Sequence, residues 1–163
     1  MAGDGEMITT YLEMSEPQVL QVTPPHRTGM LLRIGEPSVA FYRYLLEEGF
    51  PEAAGALDDE TAVLLTDDAY DVYVVYLGGV PAALFELDRR SPAEVELVRF
   101  GVLPGFAGRG LSKYVLAAAV ETAWQHGPER VWVRATNSDD PRRILTLQWA
   151  GFVPYETTRS RQK

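Results

Sequence analysis

The chain has 163 residues, 46% hydrophobic and 23% charged, with a formal charge of −8 and no cysteine. These values exclude a disordered or fibrous chain, disulfides, thiolate metal sites and a cysteine nucleophile, and the acidic balance argues against a general nucleic-acid binder. The charge is unevenly placed, because residues 1–98 carry 5 basic and 18 acidic side chains while residues 99–163 carry 10 and 5, which points to two different chemical partners.

In chain order, a first strand is predicted around Ile8–Met14. The breaker cluster Thr23-Pro24-Pro25-His26-Arg27-Thr28-Gly29 connects it to a segment starting near Met30. Ser38 offers an N-cap to a helix with Val39, Phe41, Tyr42, Leu45 and Leu46 at helical spacing, ended by Gly49. Asp58-Asp59-Glu60 puts acid at the start of a second helix, where the helix dipole favours it. Asp71–Leu77 and Val80–Leu87 are strand-like runs around Gly78-Gly79 and read as a hairpin, with Pro81 tolerated near a strand start. Arg89–Ala93 is a turn and Glu94–Leu103 a third strand, which together make an antiparallel meander. Leu111, Val115, Ala118, Ala119 and Ala123 then mark a helix, stopped by Gly127-Pro128. Arg130–Ala135 is a strand; strand, helix, strand predicts parallel neighbours. Asp139-Asp140-Pro141 caps a last helix with Pro in its first turn, Gly151 ends it, and Phe152–Thr157 is the final strand. The whole reads as an α/β (α+β) mixed sheet with helices on its faces, one domain over 1–163. No apolar run approaches the ~18–20 residues that span a bilayer, and MAGDGEMITT lacks the features of a secretory signal, so a cytoplasmic protein without membrane contact is expected. His26 and His126 are isolated, and no metal site is expected.

The densest chemical signal is Val102-Leu103-Pro104-Gly105-Phe106-Ala107-Gly108-Arg109-Gly110-Leu111-Ser112-Lys113. A strand runs into a Gly-rich turn that opens a long helix. Successive N–H groups and the positive helix end make an anion site there, most often for phosphate. A Walker loop needs Lys directly after its last Gly, and Leu111 stands there instead. A dinucleotide fingerprint needs a third small residue at the position of Lys113, and it fails too.

PGFAGRGLSKYVL, then RVWVRA, then DDPRRILTLQWAGFVPY resemble the GNAT superfamily of N-acetyltransferases. Thr9-Thr10-Tyr11-Leu12-Glu13-Met14 and Val95–Pro104 add a likeness to an uncharacterised bacterial branch. The resemblance implies a mostly antiparallel twisted sheet with a splayed parallel strand pair. It implies acetyl-CoA as co-substrate, bound by residues 71–163, with residues 1–70 holding the first strand and the acceptor side. Main-chain groups of Gly101 and Val102 would pair with the pantetheine amides. Those of Ala107, Gly108, Arg109, Gly110, Leu111 and Ser112 would hold the diphosphate. A strand N–H near Val102 would polarise the acetyl carbonyl.

Three positions depart from the family pattern. Gly105 replaces Arg or Gln, Asp140 replaces Asn, and Leu147 replaces the Tyr that protonates the departing thiolate. Tyr155, or water, is the expected substitute for that acid. Acetyl transfer also needs a base to neutralise the amine, and Glu96, with Glu94 on the same strand face, is the candidate. Phe41, Tyr42, Tyr44, Phe50, Glu47, Glu48 and Glu52 would form an acidic, aromatic mouth for a cationic amine of a small molecule or peptide. A homodimer is common in the superfamily. The competing expectation, favoured by Leu147, is an acyl-CoA-binding module without chemistry.

Overall fold

A computed structural model describes residues 5–18, 20, 30–34, 38–55, 57–108 and 110–161. The described residues form a seven-stranded sheet flanked by helices. The strands are β1 (Glu6–Met14), β2 (Met30–Ile34), β3 (Tyr70–Leu77), β4 (Val80–Asp88), β5 (Glu94–Val102), β6 (Arg130–Thr136) and β7 (Val153–Arg161). The helices are α1 (Val39–Gly49), α2 (Pro51–Ala54), α3 (Asp59–Leu64), α4 (Leu111–Gln125) and α5 (Arg142–Trp149). The strand order is β2-β3-β4-β5-β6-β1-β7.

The meander forms as read from the sequence. Gly78 and Gly79 take φ of 61° and 82° and close the β3–β4 hairpin, the left-handed pair that a tight two-residue turn requires. β5 and β6 are the parallel neighbours, and they are paired only through Glu94↔Arg130, Val95↔Val131 and Glu96↔Trp132. Every other strand pair is antiparallel. The final strand runs farther than expected, to Arg161, because it pairs with β1 along its length. α5 begins one residue later than expected, with Pro141 at the cap and the Asp140 carboxylate accepting from the Arg142 N–H at 2.9 Å.

One placement was not legible in the sequence. β1 is hydrogen-bonded between β6 and β7. The first residues of the chain therefore bind the last ones together, and residues 1–70 and 71–163 are not separate bodies of the sheet.

The two faces of the sheet are covered by different helices. α4 and α5 pack on one, where Phe85, Leu87, Leu97, Val115, Leu116 and Leu147 belong to the main core. α1, α2 and α3 cover the other, through Tyr42, Leu45, Leu46 and the edges of Ala53 and Leu64. β4 lies inside the sheet between β3 and β5, and Ala82–Leu87 are all buried. Alternate residues reach opposite faces, so Phe85 stacks on Tyr73 at 4.7 Å on the α4 side while Leu84 meets Leu45 on the other. Phe85→Ala is expected to destabilise the fold by about 3–5 kcal/mol, read as a lower urea midpoint with an unchanged slope.

Candidate active site

β5 carries a bulge. Its partners on β4 run Glu86↔Arg99 and then Leu87↔Leu97, which leaves Val98 unpaired. A bulge bends its strand and places two successive side chains on one face. Val98 accordingly leans on the α1-side core and Arg99 reaches the same side, while Leu97 and Phe100 stay with the α4-side core. The pairing with β6 ends at Glu96, two residues before the bulge. From Leu97 to Val102 the edge of β5 toward β6 has no strand partner among the described residues. This is the splayed parallel pair.

The glycine loop closes one end of the split. Pro104–Phe106 form a 3-10 turn, and Gly108 and Gly110 take φ of 78° and 73°. Gly110 caps α4 without a side-chain hydrogen bond, and the first turn of α4 holds no acidic residue. Its first N–H groups therefore lack a side-chain acceptor among the described residues, the condition for receiving an anion. A cleft of about 680 Å3 opens there, and it brings together Gly101, Val102, Ala107, Gly108, Gly110 and Ser112. Leu111 is buried in the core, so only its main chain is left for a ligand. Arg109 lies outside the described residues.

Phe50, at the start of α2, closes the opposite wall of this cleft. A Cβ on Gly101 would stand 2.6 Å from the Phe50 ring, so glycine is needed for that approach. Arg143 of α5 enters from the third side. Its guanidinium lies 4.3 Å from the centre of the Phe100 ring. Its buried Nε has no hydrogen-bond partner among the described residues, and Asp139 lies 3.7 Å from it. Burial pushes the Arg143 pKa below its usual value, and Asp139 opposes the shift. The unpartnered donor, the unpaired edge of β5 and the uncapped helix all fit a long polar ligand with an anionic end, as CoA is.

A second cavity, of about 400 Å3, takes the preceding stretch of β5. Glu96, Val98 and Arg99 line it, with Tyr42, Tyr70, Asp88, Arg90 and Arg134. Glu96 bonds the Arg134 Nε at 3.1 Å through Oε2. Burial raises the Glu96 pKa above the ordinary carboxylate range, and the Arg134 cation works against it. Behind the cavity, Glu86 is fully buried on β4. The hydroxyls of Tyr42 and Tyr70 each donate to its Oε1 at 2.7 Å, and Arg99 Nη1 lies 3.1 Å from its Oε2. Burial, then the Glu86 charge, pushes both phenols far above their usual value. This network was missed in the sequence. Its signal is the lone Glu in the apolar run Ala82-Ala83-Leu84-Phe85-Glu86-Leu87, since a buried carboxylate needs partners.

The expected acid is not brought to either cavity. Tyr155 sits at a bulge of β7, where the pairing steps from Tyr11↔Glu156 to Leu12↔Pro154. β1 and β6 separate it from β5, and its ring lies 5.3 Å from the Arg130 guanidinium. Leu147 is fully buried in the α4-side core. Of the expected acidic, aromatic mouth, Tyr42 lines the second cavity and Phe50 the cleft, but Glu47 and Glu48 line neither. Helical phase turns Glu47 and Glu48 to solvent, and Tyr42 points inward to Glu86; the side chain of Glu52 lies outside the described residues. Among the described residues no His/Cys/Asp/Glu cluster could hold a metal, and no helix is long and apolar enough to cross a membrane.

Comparison with known proteins bears on this geometry. The Acetyltransferase (GNAT) family matches residues 36–152. Solved structures with similar folds include a conserved protein of unknown function from Staphylococcus epidermidis, with a TM-score of 0.69 and 15% identity over 95% of this chain and 60% of that one. An IAA acetyltransferase from Bacillus cereus gives 0.63 and 23% over 79% of each chain. A GCN5-related N-acetyltransferase from Kribbella flavida gives 0.64 and 19% over 93% of this chain and 57% of that one. The chain thus spans about three fifths of the length of two of these three proteins. None of the curated proteins matches it.

The buried setting of Leu147 has a consequence. Leu147→Tyr puts back the residue type of the family motif, yet the site offers core volume rather than an opening. It is expected to destabilise the fold by about 1–3 kcal/mol through overpacking and not to raise turnover, as thermal unfolding and steady-state kinetics would show.

Proposed function

The chain belongs to the Acetyltransferase (GNAT) family, and we propose that it is an acetyl-CoA-dependent N-acetyltransferase that acylates a primary amine of a small molecule or peptide by direct attack in a ternary complex. The observation that carries this reading is the layout along β5. The anion-receptive cleft takes Phe100–Val102, and the cavity holding Glu96 takes the stretch just before it.

Acetyl-CoA supplies an acetyl group activated as a thioester. The main chain of Ala107–Ser112 holds the diphosphate, and the free edge of β5 at Gly101 and Val102 orients the pantetheine arm. A main-chain N–H near Val102 polarises the carbonyl, an oxyanion-hole role. Glu96 accepts the proton of the incoming ammonium, directly or through water. Its raised pKa makes it a stronger base than an exposed carboxylate, and the Arg134 cation favours its ionised form. Tyr155 has no part in this scheme, because β1 and β6 stand between it and β5. The leaving thiolate is stable enough to depart as the anion and take its proton from water. The burial of Leu147 supports one competing reading, an acyl-CoA-binding module without chemistry.

A thiol-release assay with acetyl-CoA against polyamines, amino acids and peptides tests the reading. Release with at least one amine is expected, and binding without release across the panel favours the module. Gly110→Trp is expected to abolish acetyl-CoA binding by calorimetry while the domain stays folded, because the new side chain enters the cleft at the helix start; unchanged affinity would sink the cleft assignment.

The pH profile tests Glu96. Protonation removes the base, so turnover falls as pH falls through the Glu96 pKa, which lies above the ordinary carboxylate value. Glu96→Gln should lower turnover and delete that acid limb. Arg134→Met removes a cation that favours the carboxylate, so the limb should move to higher pH. A profile that neither variant alters removes Glu96 from the mechanism.

A further inference from the structure

The walls of the Glu96 cavity have an unusual charge pattern. Arg90, Arg99 and Arg134 line it, with the carboxylates of Asp88 and Glu96, and Glu86 lies just behind Arg99. Three cations thus face three carboxylates, so the wall as a whole is neutral. Two of the arginines are paired with carboxylates of the cavity wall itself. Arg90 grips Asp88 through Nε at 3.0 Å and Nη2 at 2.8 Å, and Arg134 holds Glu96.

Arg99 differs. All of its hydrogen bonds leave from Nη1, to Glu86 Oε1 and Oε2 at 3.3 and 3.1 Å and to the Tyr42 hydroxyl at 2.9 Å. Its Nε and Nη2 donate to nothing among the described residues, and the side chain is 30% exposed. The two phenols take Glu86 Oε1 and Arg99 Nη1 takes Oε2, so Glu86 engages only one nitrogen of the guanidinium. One edge of Arg99 is therefore anchored in the core while a free two-donor edge remains for the cavity. That edge has the geometry that takes a carboxylate bidentately.

The bulge at Val98 decides what lies beside it. In a regular strand residues 96 and 99 would point to opposite faces. The extra residue restores parity, and Glu96 and Arg99 line the same cavity. They stand three positions apart, no more than about 10 Å along the strand. An ammonium at Glu96 and a carboxylate at Arg99 then belong to one small molecule. Resting on the acetyltransferase reading above, we propose that the acceptor is an amino acid, bound as a zwitterion with its carboxylate on the free edge of Arg99 and its amine at Glu96. A polyamine has no carboxylate for the free edge of Arg99 and forgoes that contact.

The test compares each of the common amino acids with its carboxamide, which keeps the amine and side chain and loses the negative charge. Each ligand is titrated calorimetrically into the full chain saturated with CoA. At least one amino acid is expected to bind about 10- to 100-fold more tightly than its amide. Arg99→Met should bring that ratio near one, and Arg99→Lys should keep part of it. Because Arg99→Met strands a buried carboxylate, the double variant Arg99→Met/Glu86→Gln serves as a second probe that neutralises it. Amides that bind as well as every acid, a ratio that survives in the variants, or no binding by any amino acid would each overturn the proposal. Acetyl-CoA binding and thiol release, measured separately, decide the acetyltransferase reading: an amino acid that binds by its carboxylate without releasing thiol defeats that reading alone.

Discussion

Parallel pairing between β5 and β6 stops after Glu96↔Trp132, and the candidate site depends on that interruption. A continuous ladder would hydrogen-bond the β5 edge to β6 and leave no slot between them. The bulge at Val98 bends β5 away at that point and tightens its twist. Three features follow from one extra residue. The edge from Leu97 to Val102 is freed, Gly101 comes under the Phe50 ring, and Glu96 and Arg99 share a face. The glycine loop adds the end wall, since α4 starts where the bent strand has carried the chain. Cofactor cleft and acceptor cavity are thus consecutive windows on one deformed strand.

The second constraint is the buried carboxylate of Glu86. A charge in the centre of a sheet is costly unless every lone pair is met. Tyr42 from α1, Tyr70 from β3 and Arg99 from β5 meet it here. These partners come from three elements, so the network also fixes how α1 lies on the sheet. Apolar residues in place of the whole cluster would give an equally good or better core, but they would remove the anchored guanidinium. The retained polar cluster therefore makes more sense as support for a positioned guanidinium than as a source of stability.

Much of this was legible in the sequence, and the reasons differ by element. The meander, the parallel pair and α4 rest on local signals: Gly78-Gly79, the period change after Pro104, and the Gly127 stop. The glycine loop was legible because its chemistry is main-chain, so spacing alone places it. Side-chain roles were harder. Tyr155 looked available because it follows the last helix, but β1 intrudes between β6 and β7 and carries it two strands away. Nothing local in the first fourteen residues announces that insertion, because strand order is decided by long-range pairing. Leu147 was noticed as a departure, and only the packing shows that it fills core volume. Glu47 and Glu48 were assigned by charge to a mouth, and their helical phase turns them outward.

The uneven charge along the chain acquires a different meaning once the chain is folded. Read linearly, an acidic first part and a basic last part suggest two ends with opposite fields. In space, four of the ten cations after residue 98 lie against carboxylates before it. Arg99 meets Glu86, Arg130 meets both Glu13 and Glu94, Arg134 meets Glu96, and Arg159 faces Glu6. Most of these pairs cross between adjacent strands, and several bridge the two sequence halves that β1 ties together. Part of the contrast is thus spent inside the fold rather than displayed to a partner. What remains for recognition is local: the uncapped start of α4, the unpartnered Nε of Arg143 and the free edge of Arg99. Selectivity then depends on where single hydrogen-bond donors point, because a neutralised field of this kind decays within a few ångströms of the wall and cannot sort ligands by total charge at a distance.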